Sequence, residues 1–148
     1  SAANRGTTIQ MILDPNKDAF GLEKNGIPNR QVAAELMKEE TVQVRWYDTN
    51  GEQYHSKFMM VEKGAEAVLI GGSANFTRRN LADFNLENNL QVKMPLTHQL
   101  YEEVSTYYER LWSNEEGTYT ADFEKYEDHS KWKIFLYRLQ EWAGLSTF

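Results

Sequence analysis

The chain has 148 residues, a formal net charge of −6 at pH 7 and no cysteine. That length suits one domain burying about 70% of its unfolded surface, and the missing cysteines exclude disulfides and thiolate metal sites. The acidic charge is spread along the chain without a basic block, so a general surface for duplex DNA, which must neutralise many phosphates with Lys and Arg, is disfavoured.

In chain order, Thr7 to Leu13 is expected as a strand ended by Asp14-Pro15-Asn16, and Phe20 to Pro28, with Gly21, Gly26 and Pro28, reads as a loop. Asn29 is a candidate cap for a helix from Arg30 to Glu40 that buries Val32, Leu36 and Met37. Thr41 to Tyr47 alternates as a strand, and Asp48-Thr49-Asn50-Gly51 turns the chain. Gln53 to Val61 and Glu66 to Ile70 read as two strands of a hairpin turned at Lys63-Gly64, and Leu86 to Met94 as the next strand. After Pro95, Leu96, Leu100, Val104, Tyr107 and Leu111 recur at helical spacing as far as Trp112. This order predicts an α/β fold, a mixed β-sheet flanked by helices, over residues 1–113. Residues 114–148 differ: an acidic polar linker to Ser130, then an amphipathic helix marked by Trp132, Phe135, Leu136, Leu139 and Trp142 and expected to pack on the rest.

Reactive side chains gather between His55 and Asn75. The strand period puts His55 and Lys57 on one side, and the hairpin brings Gly71-Gly72-Ser73-Ala74-Asn75 back to the same end of the sheet. Two glycines permit close backbone approach, Ser73 and Asn75 offer a hydroxyl and an amide donor, and a helix starting at either would point its N–H groups at an anion. A nucleophilic imidazole beside an ammonium group and two short polar donors is a set suited to gripping and attacking a phosphodiester. No cluster of His and carboxylates has metal-ligand spacing, so neither metal nor other cofactor is expected. Neither His98 nor His129 has a lysine two residues on in a comparable strand, His129-Ser130-Lys131 lying where the polar stretch meets the terminal helix; Arg78-Arg79 reads equally as phosphate contact or surface, and Trp46, Tyr47, Tyr54 and Phe58 read as core or pocket lining.

These residues resemble the phospholipase D superfamily, whose signature is H-x-K, four residues, D, a short spacer and G-S-x-N. His55, Lys57, Gly72, Ser73 and Asn75 match it; Glu62 stands where the family has aspartate, and the spacer after it is longer. The resemblance implies that Glu62 is structural and that Glu87, in Asn85-Leu86-Glu87-Asn88-Asn89, accepts a hydrogen bond from the catalytic histidine. It further implies that the reaction passes through a phosphohistidine without a metal and that a second motif histidine protonates the leaving group. Only one H-x-K, His55-Ser56-Lys57, is followed by G-S-x-N, so the second motif belongs to another half of a parent chain or to a second copy in a homodimer. The start at Ser1 without Met and the acidic surface favour the former: the second, C-terminal motif half of a two-motif phosphodiesterase or phosphatidyl transferase. The expected substrate is of phospholipid type, and the expected parent protein is membrane-associated or extracytoplasmic. The alternatives are a homodimeric single-motif nuclease and a non-catalytic half. Neither a signal-peptide pattern nor an apolar run long enough to span a bilayer is present.

Overall fold

The computed structural model describes residues 5–19, 22–23, 26–75, 87–128 and 130–142. In chain order its elements are strands β1 (Ile9–Leu13), β2 (Asp18–Ala19) and β3 (Leu22–Glu23), helix α1 (Asn29–Leu36), strands β4 (Val42–Tyr47), β5 (Phe58–Lys63), β6 (Glu66–Gly72) and β7 (Asn89–Pro95), helix α2 (Gln99–Ser113), strand β8 (Thr120–Asp122), a short 3-10 helix (Phe123–Tyr126) and helix α3 (Lys131–Trp142). They fall into two compact units that divide between His55 and Ser56, between Glu109 and Arg110 and between Leu139 and Gln140.

The first unit is built on β4, whose alternation of Val42, Val44 and Trp46 inward with Gln43 and Arg45 outward is the pattern of a half-buried strand. β1 lies parallel to it, Ile9 opposite Val42 through Leu13 opposite Trp46, and β8 pairs antiparallel on its other side, Arg45 opposite Asp122. Ala33 and Ala34 of α1 complete the core with Val42, Val44, Trp46 and Phe123. Trp46 is wholly buried, and its indole N–H, which needs a partner there, donates to the Phe123 carbonyl at 2.7 Å.

The second unit is an antiparallel sheet with β6 between β5 and β7. Gly64-Ala65 closes the β5–β6 hairpin with Gly64 at φ 64°, a left-handed value glycine takes without penalty. One face, with Met60, Glu62, Ala67, Leu69, Val92 and Met94 in register, meets α2, and Ala67 and Met94 are buried there. The Tyr101 hydroxyl donates to Glu62 at 2.9 Å, and the Tyr107 and Phe58 rings lie 6.2 Å apart. The opposite face leaves Met59 and Val61 exposed.

The fold is α/β, with departures from the sequence reading. In place of one mixed sheet there are, among the described residues, two three-stranded sheets and a two-stranded ribbon, β2–β3, inside the segment read as a loop. The acidic stretch read as a linker holds β8 and the buried Phe123, because one strand of three residues and one aromatic suffice to seal the β4 edge. α1 stops at Leu36 and is not capped by Asn29, whose side-chain amide donates instead to the Asp14 carbonyl at 2.8 Å. β5 starts at Phe58 rather than Gln53, since the Tyr54 N–H goes to the Asp14 carboxylate instead of a neighbouring strand. α3 forms where expected, yet Trp132, Phe135 and Leu139 are exposed; it is held instead through Lys133 with Asp128 and Arg138 with Glu35, each at 2.7 Å. Among the described residues no helix is long and apolar enough to cross a membrane.

Candidate active site

The second unit brings Lys57, Ser73 and Glu87 together at the end of β6. The Gly72 N–H donates to the Lys57 carbonyl at 3.2 Å, and the Ser73 N–H to the Asn88 carbonyl at 3.0 Å, so this corner is stitched to both flanking segments. Only glycine fits at position 72: a Cβ there would lie 2.2 Å from the Asn88 carbonyl oxygen and 2.5 Å from Asn89 Oδ1. The close backbone approach expected at Gly72 is, in the structure, an approach to the adjoining strand at Asn88 and Asn89.

That crossing sets Ser73 against Glu87. The Ser73 hydroxyl donates to Glu87 Oε2 at 2.5 Å and accepts the Asn88 N–H at 3.1 Å. The first is a charge-assisted O–H to carboxylate bond at the short end of the range for such pairs. Asn89 Oδ1 accepts the Ala74 N–H at 3.4 Å, which ties down the turn between Ser73 and Asn75. Lys57 is half-buried, and that burial holds its ammonium below the ordinary lysine value, while the Glu87 carboxylate opposes the shift. A cation, a carboxylate and a hydroxyl from three separate stretches of chain are therefore grouped here. Asn75, half-buried, follows the buried Ala74.

His55 is placed differently. It is exposed, lies outside any strand and is the last residue of the first unit, whereas Lys57 belongs to the second. The expectation that one strand carries both is thus corrected: Gln53 to Lys57 is irregular backbone. The residue before His55 is tightly held, with the Tyr54 N–H on Asp14 Oδ2 at 2.6 Å and the Tyr54 ring stacked on Tyr47 at 4.4 Å and 10°.

The other candidates have definite places. Glu62 accepts the Tyr101 hydroxyl, a bond that joins β5 to α2. His98 sits at the start of α2, where its Nδ1 accepts the Leu100 N–H at 3.1 Å and its carbonyl accepts from Tyr101 and Glu102, so it acts as a cap. Phe76, Thr77, Arg78, Arg79 and His129, and the body of the helix expected from Ser73 or Asn75, lie outside the described residues. Among the described residues no three His, Cys, Asp or Glu side chains group as metal ligands would. An open cavity of about 350 Å³, almost wholly apolar, lies between the sheet and α2, lined by Phe58, Leu69, Gly71, Val104 and Tyr107 with Ser56 and Glu103.

Sequence reasoning missed Asp14, Asn88 and Asn89. Asp14 carried one available signal, an Asp-Pro-Asn turn just past the end of a strand; the asparagines are recognisable only from the pairing of β6 with β7.

A family model described as cardiolipin synthase, PLD-like domain, matches residues 1–112, a range that ends within α2 and leaves out β8 and α3. Comparison with curated proteins gave no match.

Proposed function

The chain belongs to the cardiolipin synthase PLD-like domain family, a membership that indicates phosphodiesterase or phosphatidyl-transferase chemistry, and from that premise we propose a phosphohistidine mechanism at His55 on a phospholipid-type phosphodiester. The neutral imidazole attacks phosphorus; a P–N bond forms as the bond to the leaving alcohol oxygen breaks. The Lys57 ammonium, the Ser73 hydroxyl and the Asn75 amide hold the non-bridging oxygens as charge builds on them.

Ser73 and Glu87 act in turn. A hydroxyl has a single proton, and Ser73 gives it to Glu87. A bound phosphate oxygen competes for that proton and frees a carboxylate lone pair, which is then available to the imidazolium formed at His55. The leaving alkoxide takes its proton from a second motif histidine, supplied by another half of a parent chain or by a second copy, because this sequence has one H-x-K that is followed by G-S-x-N. Water or an alcohol then attacks the phosphohistidine with the same group acting as base.

The observation that supports this reading most is the grouping of Lys57, Ser73 and Glu87 at a crossing that only glycine allows. The apolar cavity beside Phe58 and the acidic chain favour a substrate with an apolar portion over a polyanion. The test is turnover by the full-length protein of phosphatidylglycerol in mixed micelles and, separately, of single-stranded and duplex DNA. We expect lipid turnover that His55→Ala lowers by roughly 10³-fold or more. DNA cleavage with no lipid turnover would move the assignment to the nuclease, and lipid turnover untouched by His55→Ala would make this half non-catalytic.

A further inference from the structure

The first unit contains a buried carboxylate that the mechanism does not use. Asp14 follows β1 directly and is 9% exposed, and both its oxygens accept backbone N–H groups. Oδ1 accepts from Asn16 at 2.6 Å and Oδ2 from Tyr54 at 2.6 Å. Its own carbonyl accepts the Asn29 side-chain amide at 2.8 Å, and the neighbouring Pro15 carbonyl accepts Arg30 Nε at 2.8 Å, so the turn that carries the carboxylate is itself fixed. The Tyr54 contact, by contrast with the local one from Asn16, joins residues 40 positions apart.

The second hold on Tyr54 comes from the neighbouring strand. β1 and β4 are paired up to Leu13 opposite Trp46, so Asp14 and Tyr47, the next residue on each, stand side by side past that pair. Asp14 takes the Tyr54 backbone and Tyr47 takes its ring, which closes the loop from Asp48 to Gln53 at its far end. The next residue along is His55.

Resting on the assignment of His55 as nucleophile, we infer that Asp14 is a positioning residue: through the Tyr54 N–H it fixes the backbone from which the imidazole projects, and it does not touch the phosphate. The chemistry of the contact explains a carboxylate here. Two N–H donors need two acceptor oxygens, which aspartate has and asparagine lacks. An irregular segment has no strand ladder to hold it, and a nucleophile displaced by about 1 Å loses on the order of 10²-fold in rate.

The test removes the single donor while leaving every side chain in place: Tyr54 is replaced by its α-hydroxy acid, which turns the N–H into an ester oxygen, with Asp14→Asn as the independent second variant. Both are measured in the full-length protein beside wild type and His55→Ala. We expect kcat to fall at least about tenfold, KM to stay within about twofold, and the melting temperature to move by no more than a few degrees, with less order in the His55 ring by NMR relaxation. A structural bond alone would lower the melting temperature and leave kcat per folded molecule unchanged; that result overturns the inference. If wild-type turnover survives His55→Ala, the functional assignment fails instead, and the positioning of the ring is decided by the relaxation data: equal His55 order in wild type and the ester form overturns it.

Discussion

The two units hold their chemical groups by different means. In the second, Lys57, Ser73 and Glu87 are placed by sheet register: β6 must pair with β7, Gly72 must lack a Cβ, and the hydroxyl then meets the carboxylate. In the first, His55 follows irregular backbone held by one buried carboxylate and one stacked ring. A ladder shares its load over many bonds, whereas a clamp rests on a few. The proposed anion-binding groups thus sit on the redundant scaffold and the proposed nucleophile on the adjustable one, a division that predicts how each unit fails.

The largest effect is expected in the cores. Phe123→Ala empties the packing against Trp46 and is expected to cost about 3–4 kcal/mol, while Phe135→Ala, at a ring 69% exposed, is expected to stay within about 0.5 kcal/mol. Urea unfolding of the two variants measures the contrast; equal losses would mean that α3 is packed after all. Gly72→Ala drives a methyl into backbone and is expected to cost about 2–3 kcal/mol with loss of turnover, because the β6–β7 crossing must open. A variant of wild-type stability would remove the close crossing from the account.

Ser73→Ala separates scaffold from chemistry. Losing its two exposed hydrogen bonds is expected to cost no more than about 2 kcal/mol, while the rate falls by about 10²-fold through loss of a phosphate donor. A rate that falls only as far as stability does would make Ser73 a scaffold residue. The smallest effect is electrostatic. Burial lowers the Lys57 value in the folded chain, so between that value and the ordinary 10.5 the unfolded chain binds more protons and stability rises with pH; the penalty is fully present below the window and relieved above it. Relative to Lys57→Met, wild type should gain stability as the pH is raised towards 10.5, read from unfolding midpoints. A relative loss over that range would reverse the sign of the burial effect.

Much of this was legible in the sequence where period and punctuation agree. The β5–β6 hairpin could be read from Lys63-Gly64 between apolar runs, and the polar group after it from Gly72-Ser73-Ala74-Asn75. β8 could not, because Thr120-Ala121-Asp122 has no alternation of its own and is a strand only by virtue of the open edge of β4. The start of β5 was misread for a related reason: Gln53 to Lys57 has strand composition, and the Asp14 carboxylate takes the Tyr54 N–H that a ladder would need. In α3 the pattern gave the helix but not its orientation, since ion pairs with Asp128 and Glu35 hold a side that the apolar stripe does not include.

The central claim is that the His55 imidazole becomes covalently phosphorylated, and the direct measurement is rapid acid-free quench of the full-length protein turning over a phosphodiester, followed by peptide mass spectrometry. The account predicts a base-stable, acid-labile phosphoryl adduct on the peptide containing His55, absent from His55→Ala. Turnover without any adduct on that peptide, or with the adduct on another residue, would contradict it.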